Sequence, residues 1–300
     1  MKKIFVTGGT VFVSKYVAEY FVGQGCEVYV LNRNTRKQCE DVTIIEADRN
    51  NLGEILKGYH FDAVLDITSY TAKDVENLLN ALGSFDEYIF VSSSAVYPEY
   101  EVQPFKEETK LSENKYWGMY GTNKIEAEKL LMNRVPNAYI VRPPYLYGPM
   151  NNVYREAFVF DCAMAGREFY LPRDGQMKLQ FFHVKDLCKV MEGIIEKKPK
   201  MHVFNVGNKE AVTIAEWVSM CYVAAGKKLE VKNVYEEINT RNYFCFTDYE
   251  YMLDVAKQDE VLCETIPLEE GLKEAFLWYK DHQSEVNKKP YLEFIDEHLK

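Results

Sequence analysis

The chain has 300 residues, 47% hydrophobic and 27% charged, which fits one large α/β unit or two interlocked domains and excludes disordered, collagen-like and disulfide-stapled classes. Lys and Arg number 36 against 46 Asp and Glu, a net charge of −10, so nucleic acid is disfavoured as a partner, because that affinity rests on basic side chains neutralising phosphates. The seven Cys are odd in number, scattered and never spaced C-x-x-C, which reads as reduced thiols in a cytoplasmic protein with no metal site. No apolar stretch approaches the roughly 18 residues of a membrane span, and no signal peptide is visible, so no membrane role is expected.

Lys3 to Thr7 is a β-type run that turns at Gly8-Gly9 into a helical stretch from about Val11 to Val22, the start of a βαβ unit. Further β-rich runs follow at Glu27–Leu31, Val42–Glu46, Ala63–Ile67, Glu87–Ser92 and Ala138–Arg142, with helix-compatible segments between most of them. That alternation predicts a doubly wound parallel sheet. Ala63-Val64-Leu65 and Tyr88-Ile89-Phe90-Val91 are continuous apolar runs, as strands covered on both faces require. A helix is predicted over Ser112–Asn133. After Gly148-Pro149 the rhythm changes: helices at about Val153–Ala165, His183–Lys197, Thr213–Ala225 and Leu268–Lys280, with short strands near Glu168–Leu171, Met177–Phe181 and His202–Val206. The economical division is a dinucleotide-binding Rossmann domain from 1–147 plus about 177–206, and a smaller C-terminal substrate lobe from about 148–176 plus 207–300, with a cleft between them.

Thr7-Gly8-Gly9-Thr10-Val11-Phe12-Val13-Ser14 lies where the first strand meets the first helix, a place where backbone N–H groups hold a pyrophosphate. A full fingerprint would have Gly at 8, 11 and 14. Val11 is expected to crowd the pyrophosphate and Ser14 to loosen helix–strand packing; a plain tight turn is the competing reading. Past the second strand, Asn32, Arg33 and Arg36 stand where an NAD site offers a carboxylate to the ribose. Their chemistry suits a 2′-phosphate, so NADP is favoured over NAD, against the alternative of two solvated loop arginines. Tyr120 and Lys124 are spaced i, i+4, which puts phenol and ammonium on one helix face, where a nearby cation favours the phenolate needed for proton transfer. In a chain with 22 Tyr that spacing also arises by chance. Its position after a strand ending in Ser92-Ser93-Ser94 raises its weight, because such strand ends deliver hydroxyls to the ligand edge of the sheet. Asp66, ending an apolar strand, is either a functional carboxylate or a satisfied strand-end acid. His183 reads as a structural hydrogen-bonding residue.

TGGTVFVS, Ala47-Asp48-Arg49, VSSSAVYP, YGTNK, RPPYLYGP, FFHVKDL and FNVG, in this order and spacing, make the chain resemble the extended short-chain dehydrogenase/reductase family, often labelled NAD-dependent epimerase/dehydratase. The resemblance implies that Tyr120 is the catalytic acid/base, that Lys124 holds the nicotinamide ribose, and that Ser93 orients the substrate. It implies cofactor contacts from Gly8, Thr10, Phe12, Val13, Asp48, Arg49, Ile67, Thr68 and Pro143, substrate contacts from Ser93, Ser94 and Tyr145, and a homodimer. The degenerate glycine loop resembles a divergent branch that includes chloroplast stem-loop RNA-binding proteins. Tyr145 stands where sugar-nucleotide epimerases commonly have a diphosphate-binding Asn, Leu179 where an Arg is frequent, and Arg241 is left as the phosphate grip. Dehydratases resembling this chain carry an Asp-Glu pair at the positions held here by Ser94 and Ala95. The expected function is thus an NAD(P)-dependent epimerase or oxidoreductase acting on a sugar or sugar-nucleotide hydroxyl or ketone. The alternatives are a reductase of a small non-nucleotide carbonyl, and a non-catalytic cofactor-sensing or RNA-binding protein of the same fold.

Overall fold

The computed structural model describes all 300 residues, Met1–Lys300. In chain order the elements are β1 (Lys3–Thr7), α1 (Phe12–Gly23), β2 (Glu27–Asn32), β3 (Val42–Glu46), β4 (His60–Asp66), α2 (Ala72–Ala81), β5 (Ser84–Val91), α3 (Met119–Arg134), β6 (Tyr139–Arg142), β7 (Tyr145–Tyr147), α4 (Glu156–Met164), β8 (Phe169–Pro172), β9 (Lys178–Leu179), β10 (Phe181–His183), α5 (Val184–Lys197), β11 (Val203–Asn205), β12 (Val212–Thr213), α6 (Ile214–Ala224), β13 (Val231–Val234), α7 (Leu268–His282) and α8 (Tyr291–His298).

Seven strands form one parallel sheet in the order β11-β6-β5-β4-β1-β2-β3. Parallel neighbours need crossovers, and helices supply them except between β2 and β3, which residues 33–41 join without one. From β1 the chain steps outward to β2 and β3, then returns to β4 on the other side of β1. That reversal opens a crevice at the carboxyl ends of β1 and β4, where open α/β sheets bind ligands. The central strands are buried on both faces: Ile4, Phe5, Val6, Ala63, Val64, Leu65, Ile89 and Phe90 have no exposed surface. On one face Phe5, Phe61, Val64 and Tyr88 pack with Val75 and Leu78 of α2 and with Ala127 and Leu131 of α3. A capping box starts α2, with the Thr71 hydroxyl accepting from the Asp74 N–H and the Asp74 carboxylate accepting from the Thr71 N–H.

The chain divides into two compact units. The first comprises Met1–Pro144, Val184–Gly207 and Leu253–Thr265, and the second Tyr145–His183, Asn208–Met252 and Ile266–Lys300. This differs from the boundaries expected from sequence at Tyr145–Tyr147, the β7 strand that belongs to the second unit, and at two further places. Residues 177–183 belong to the second unit, because β9 and β10 pair with β12 and β7, and 253–265 return to the first, where Phe105 and Leu253 form a bridge. In the second unit α6 packs on α4 and α7, with the small β10-β7, β12-β9 and β13-β8 pairs beside them. No helix is long and apolar enough to cross a membrane.

The helix expected from Ser112 starts instead at Met119, after Gly118 at φ 50°. Asn114 explains the delay. It is buried, its amide donates to the Tyr97 carbonyl at 2.9 Å and its side-chain oxygen accepts from the Tyr116 N–H at 2.9 Å. The side chain thereby competes with helical bonding.

Candidate active site

The phosphate-loop region is built on the tight turn from β1 to α1. Gly8 has φ +97°, and a Cβ there would lie 2.8 Å from both the Ser14 hydroxyl and a Thr68 methyl. The first glycine is therefore required sterically as well as conformationally. Ser14 does not loosen the packing as expected. It is buried, and its hydroxyl donates to the Val11 carbonyl at 3.0 Å, closing the loop where a third glycine would leave a gap. Phe12 opens α1 at φ 35° with its side chain buried, a backbone state of the sort that concentrates at functional sites.

Beside this turn is a pocket of about 440 Å³, within the usual range for small-molecule sites of roughly 300–1,000 Å³. Of the residues expected to contact cofactor, Gly8, Thr10, Asn32, Arg33, Asp48, Arg49 and Thr68 line it, together with Arg36. Arg33 and Arg36 are exposed and carry no carboxylate partner. Asn32 is committed to the loop itself: its amide donates to the Gly8 carbonyl at 2.7 Å, and its side-chain oxygen accepts from the Asn34 N–H at 2.8 Å. Arg49 is tied to the Thr68 carbonyl, and Asp48 accepts from the Asn50 N–H at 2.9 Å. Ile67 and Thr68 donate their N–H groups to the Thr7 hydroxyl oxygen at 2.9 and 3.0 Å. A glycine cradle at a helix N-terminus, in a pocket also lined by unpaired arginines, fits an anionic dinucleotide.

Phe12, Val13, Ile67, Tyr120, Lys124 and Pro143 do not line that pocket. Two residues that sequence reasoning passed over connect it to the Tyr120 helix, Ser69 and Tyr70, which line it. The Lys124 ammonium donates to the Ser69 carbonyl and to the Val91 carbonyl, both at 2.8 Å, and lies over the Tyr70 and Phe90 rings. Tyr70 and Tyr120 are neighbouring rings, 6.4 Å between centroids. A backbone acceptor such as Ser69 leaves no trace in residue type, which is why only structure reveals it.

Tyr120 and Lys124 share α3 but not an environment: Tyr120 is 42% exposed and Lys124 2%. Burial pulls the Lys124 ammonium down to about 8, against the opposing pull of Asp66, Glu128 and Asp74. Ser93 is half-buried, and its hydroxyl oxygen accepts from the Ala95 N–H at 3.1 Å, leaving its proton to donate. The Ser94 N–H donates to the Pro143 carbonyl at 3.0 Å, which ties the serine turn to the end of β6.

Gly121 sets the approach of α3 to that turn, since a Cβ on it would lie 2.3 Å from the Ala95 carbonyl oxygen. Gly121→Ala should gain up to about 1 kcal/mol from helix propensity and lose roughly 1–3 kcal/mol from overpacking against backbone. Net destabilisation in urea unfolding is expected, and a stabilised variant would show that α3 is not seated here.

Tyr145 and Arg241 lie in the second unit. Tyr145 is buried, with the Arg155 guanidinium 4.8 Å from its ring centroid, and burial pushes its phenol well above the usual range. Arg241 is exposed and donates to the Phe244 carbonyl at 3.2 Å. Leu179, standing in for the frequent Arg, has no exposed surface, and neither has His183. All seven cysteines are free thiols, and no group of three or more His, Cys, Asp or Glu side chains gathers to hold a metal.

Residues 4–207 match the NAD dependent epimerase/dehydratase family. Along 92% of its length the chain is 27% identical to the chloroplast stem-loop binding protein of 41 kDa b of Arabidopsis thaliana, covering 78% of that protein. Along 95% it is 23% identical to UDP-N-acetyl-alpha-D-glucosaminuronate decarboxylase of Bacillus cytotoxicus, covering 99% of it. Among solved structures, dTDP-glucose 4,6-dehydratase of Bacillus anthracis in complex with NAD superposes with a TM-score of 0.77 at 18% identity, over 95% of this chain and 99% of that one.

Proposed function

Because the chain belongs to the NAD dependent epimerase/dehydratase family, we propose that it catalyses NAD(P)-dependent oxidation, reduction or epimerisation at a sugar-nucleotide hydroxyl or ketone. The observation that carries this reading is the junction at Ser69-Tyr70: residues lining the pocket of about 440 Å³ also meet Lys124 and Tyr120. The bound nicotinamide would supply the hydride acceptor and donor. Tyr120 takes the proton from the substrate hydroxyl and returns it to a ketone oxygen. Ser93 donates a hydrogen bond to that same oxygen and orients it. Lys124 spends two of its three N–H donors on carbonyls, and the third is left to steady a ribose hydroxyl, while its charge favours the Tyr120 phenolate.

Arg33 and Arg36 support a preference for NADP, since unpaired guanidinium groups recognise phosphate bidentately. Arg33→Ala should weaken NADP binding by roughly 1.5–3 kcal/mol, the worth of a hydrogen bond to a charged group, and leave NAD nearly unchanged. Calorimetry giving equal losses for both dinucleotides would remove the 2′-phosphate site. The reading as a whole is tested by mass spectrometry of small molecules retained through native purification. A dinucleotide with a sugar nucleotide is expected. Nucleic acid retained with no dinucleotide would favour the stem-loop binding named for the chloroplast relative and overturn this reading.

The same reading argues against 4,6-dehydration. That reaction needs an acid to protonate the departing C6 hydroxyl and a base to remove the C5 proton. Ser94 and Ala95, where dehydratases resembling this chain carry the Asp-Glu pair, are both buried and offer neither group. Incubation with NAD or NADP and dTDP-glucose is expected to yield no 4-keto-6-deoxy product. Catalytic accumulation of it, absent in Tyr120→Phe, would contradict the assignment.

A further inference from the structure

Asp66 ends β4 with no exposed surface, yet it has no role in the chemistry above. Its carboxylate accepts from the Tyr88 hydroxyl at 2.7 Å, from the Thr7 hydroxyl at 3.0 Å and from the Ser69 N–H at 3.2 Å. The Thr7 hydroxyl oxygen already accepts from the Ile67 and Thr68 N–H groups, so its proton points to Asp66. Burial and the neighbouring carboxylate push the Tyr88 phenol well above its usual range, which keeps Tyr88 a donor. Each of these partners donates a hydrogen bond to Asp66, which accepts on both oxygens as an ionised carboxylate does.

A buried anion needs a compensating cation, and Asp66 forms no ion pair. The charges that act on the Lys124 ammonium, strongest first, are those of Asp66 on β4, Glu128 on α3, Asp74 on α2 and Arg49 in the segment after β3. The Glu128 charge is already taken by Arg142, which grips it through two N–H groups. Asp74 is only partly buried and serves the α2 capping box. That leaves Asp66 and Lys124 as the uncompensated buried pair, joined through Ser69, whose N–H binds one and whose carbonyl binds the other.

We propose that Asp66 is a positioning residue for Lys124: it fixes the Ser69 turn that holds the ammonium and supplies the buried negative charge that keeps Lys124 protonated. The consequence for catalysis rests on the reading of Lys124 given above, but the charge coupling does not. Through Lys124, Asp66 sets the pH range over which the site carries its cation. Burial alone drives a lysine toward neutrality, and an opposite charge nearby reverses that by roughly 1–3 pH units.

The test follows the ζ-nitrogen signals of full-length protein labelled with ¹⁵N-lysine, titrated with neither cofactor nor substrate, the Lys124 signal being identified by its loss in Lys124→Met. A midpoint near 8 is expected for the parent. In Asp66→Asn, which keeps the shape but removes the charge and replaces one accepting oxygen with a donating NH2 group, the midpoint should fall by about one unit or more. Tyr88→Phe removes a donor but not the charge and should leave it within a few tenths. A folded Asp66→Asn protein with an unmoved midpoint would overturn the proposal. Should that variant not fold, the Asp66 ¹³Cγ signal of the parent decides. A carboxylate at pH 7 whose shift inflects with Lys124, and loses that inflection in Lys124→Met, supports the pairing. A protonated carboxyl at pH 7, or no inflection, refutes it. Since turnover is never read, an inactive protein would count against the proposed reaction and not against the pair.

Discussion

Tyr120→Phe is expected to cut turnover about 10²–10⁴-fold, the usual contribution of a positioned acid/base group, while leaving dinucleotide affinity within severalfold. The substitution removes one hydroxyl and keeps the ring that neighbours Tyr70. Tyr120 is 42% exposed, so little folding stability rides on the phenol, and Lys124 keeps both carbonyl partners. The signature is therefore a fall in kcat with unfolding midpoint and cofactor binding preserved. That split separates a group acting in the transition state from one that merely binds. The assay uses whichever sugar nucleotide copurifies with the parent. Retention of more than about a tenth of kcat would take the acid/base role away from Tyr120, and equal loss of cofactor affinity would make it a binding residue.

How much of this site could be read from sequence depends on what kind of atom does the work. The strands of the parallel sheet were legible because both faces are buried: Ala63, Val64, Leu65, Ile89 and Phe90 form unbroken apolar runs. Gly8 was legible because only glycine tolerates its φ and its crowding against Ser14 and Thr68. Ser14 departs from its expected loosening of the packing because its hydroxyl closes the loop through the Val11 carbonyl, a partner that residue type does not announce. The start of α3 was misplaced for a similar reason. Asn114 holds the Tyr97 carbonyl, 17 residues away in sequence, and a tertiary bond leaves no local periodicity. In the second unit, β13 was missed because three of its four residues, Val231–Asn233, are exposed and show no apolar pattern. Asp66 was visible as an acid in an apolar strand, but its partners Thr7, Tyr88 and Ser69 come together only when β1, β4 and β5 lie side by side.

Removing one member of the Glu128–Arg142 pair should produce the largest stability loss in the first unit. Both side chains are about 95% buried. The guanidinium binds the two carboxylate oxygens at 3.0 and 2.6 Å and also donates to the Tyr97 hydroxyl at 2.8 Å and the Glu107 carbonyl at 3.1 Å. Glu128 in turn accepts from the Ser92 hydroxyl, and Tyr97 donates to Asn205 at 2.7 Å. The pair thus joins α3 to the ends of β5, β6 and β11, one helical turn beyond Lys124. Glu128→Gln keeps the volume but strands a buried guanidinium, and breaking such a pair typically costs about 3–5 kcal/mol. Arg142→Met strands the carboxylate and should cost a similar amount. The double variant Glu128→Leu with Arg142→Met removes both charges, and buried pairs replaced by apolar side chains are often neutral or better. It should therefore recover much of either single loss, held below full recovery by Tyr97 and Ser92, which lose partners. Urea unfolding of the four proteins closes the cycle. Additive losses would mean that the two charges do not compensate each other, and a Glu128→Gln cost below about 1 kcal/mol would be that of a solvated pair. If the losses follow the expected pattern, α3 owes its seat beneath Tyr120 and Lys124 to this network rather than to its own helical propensity.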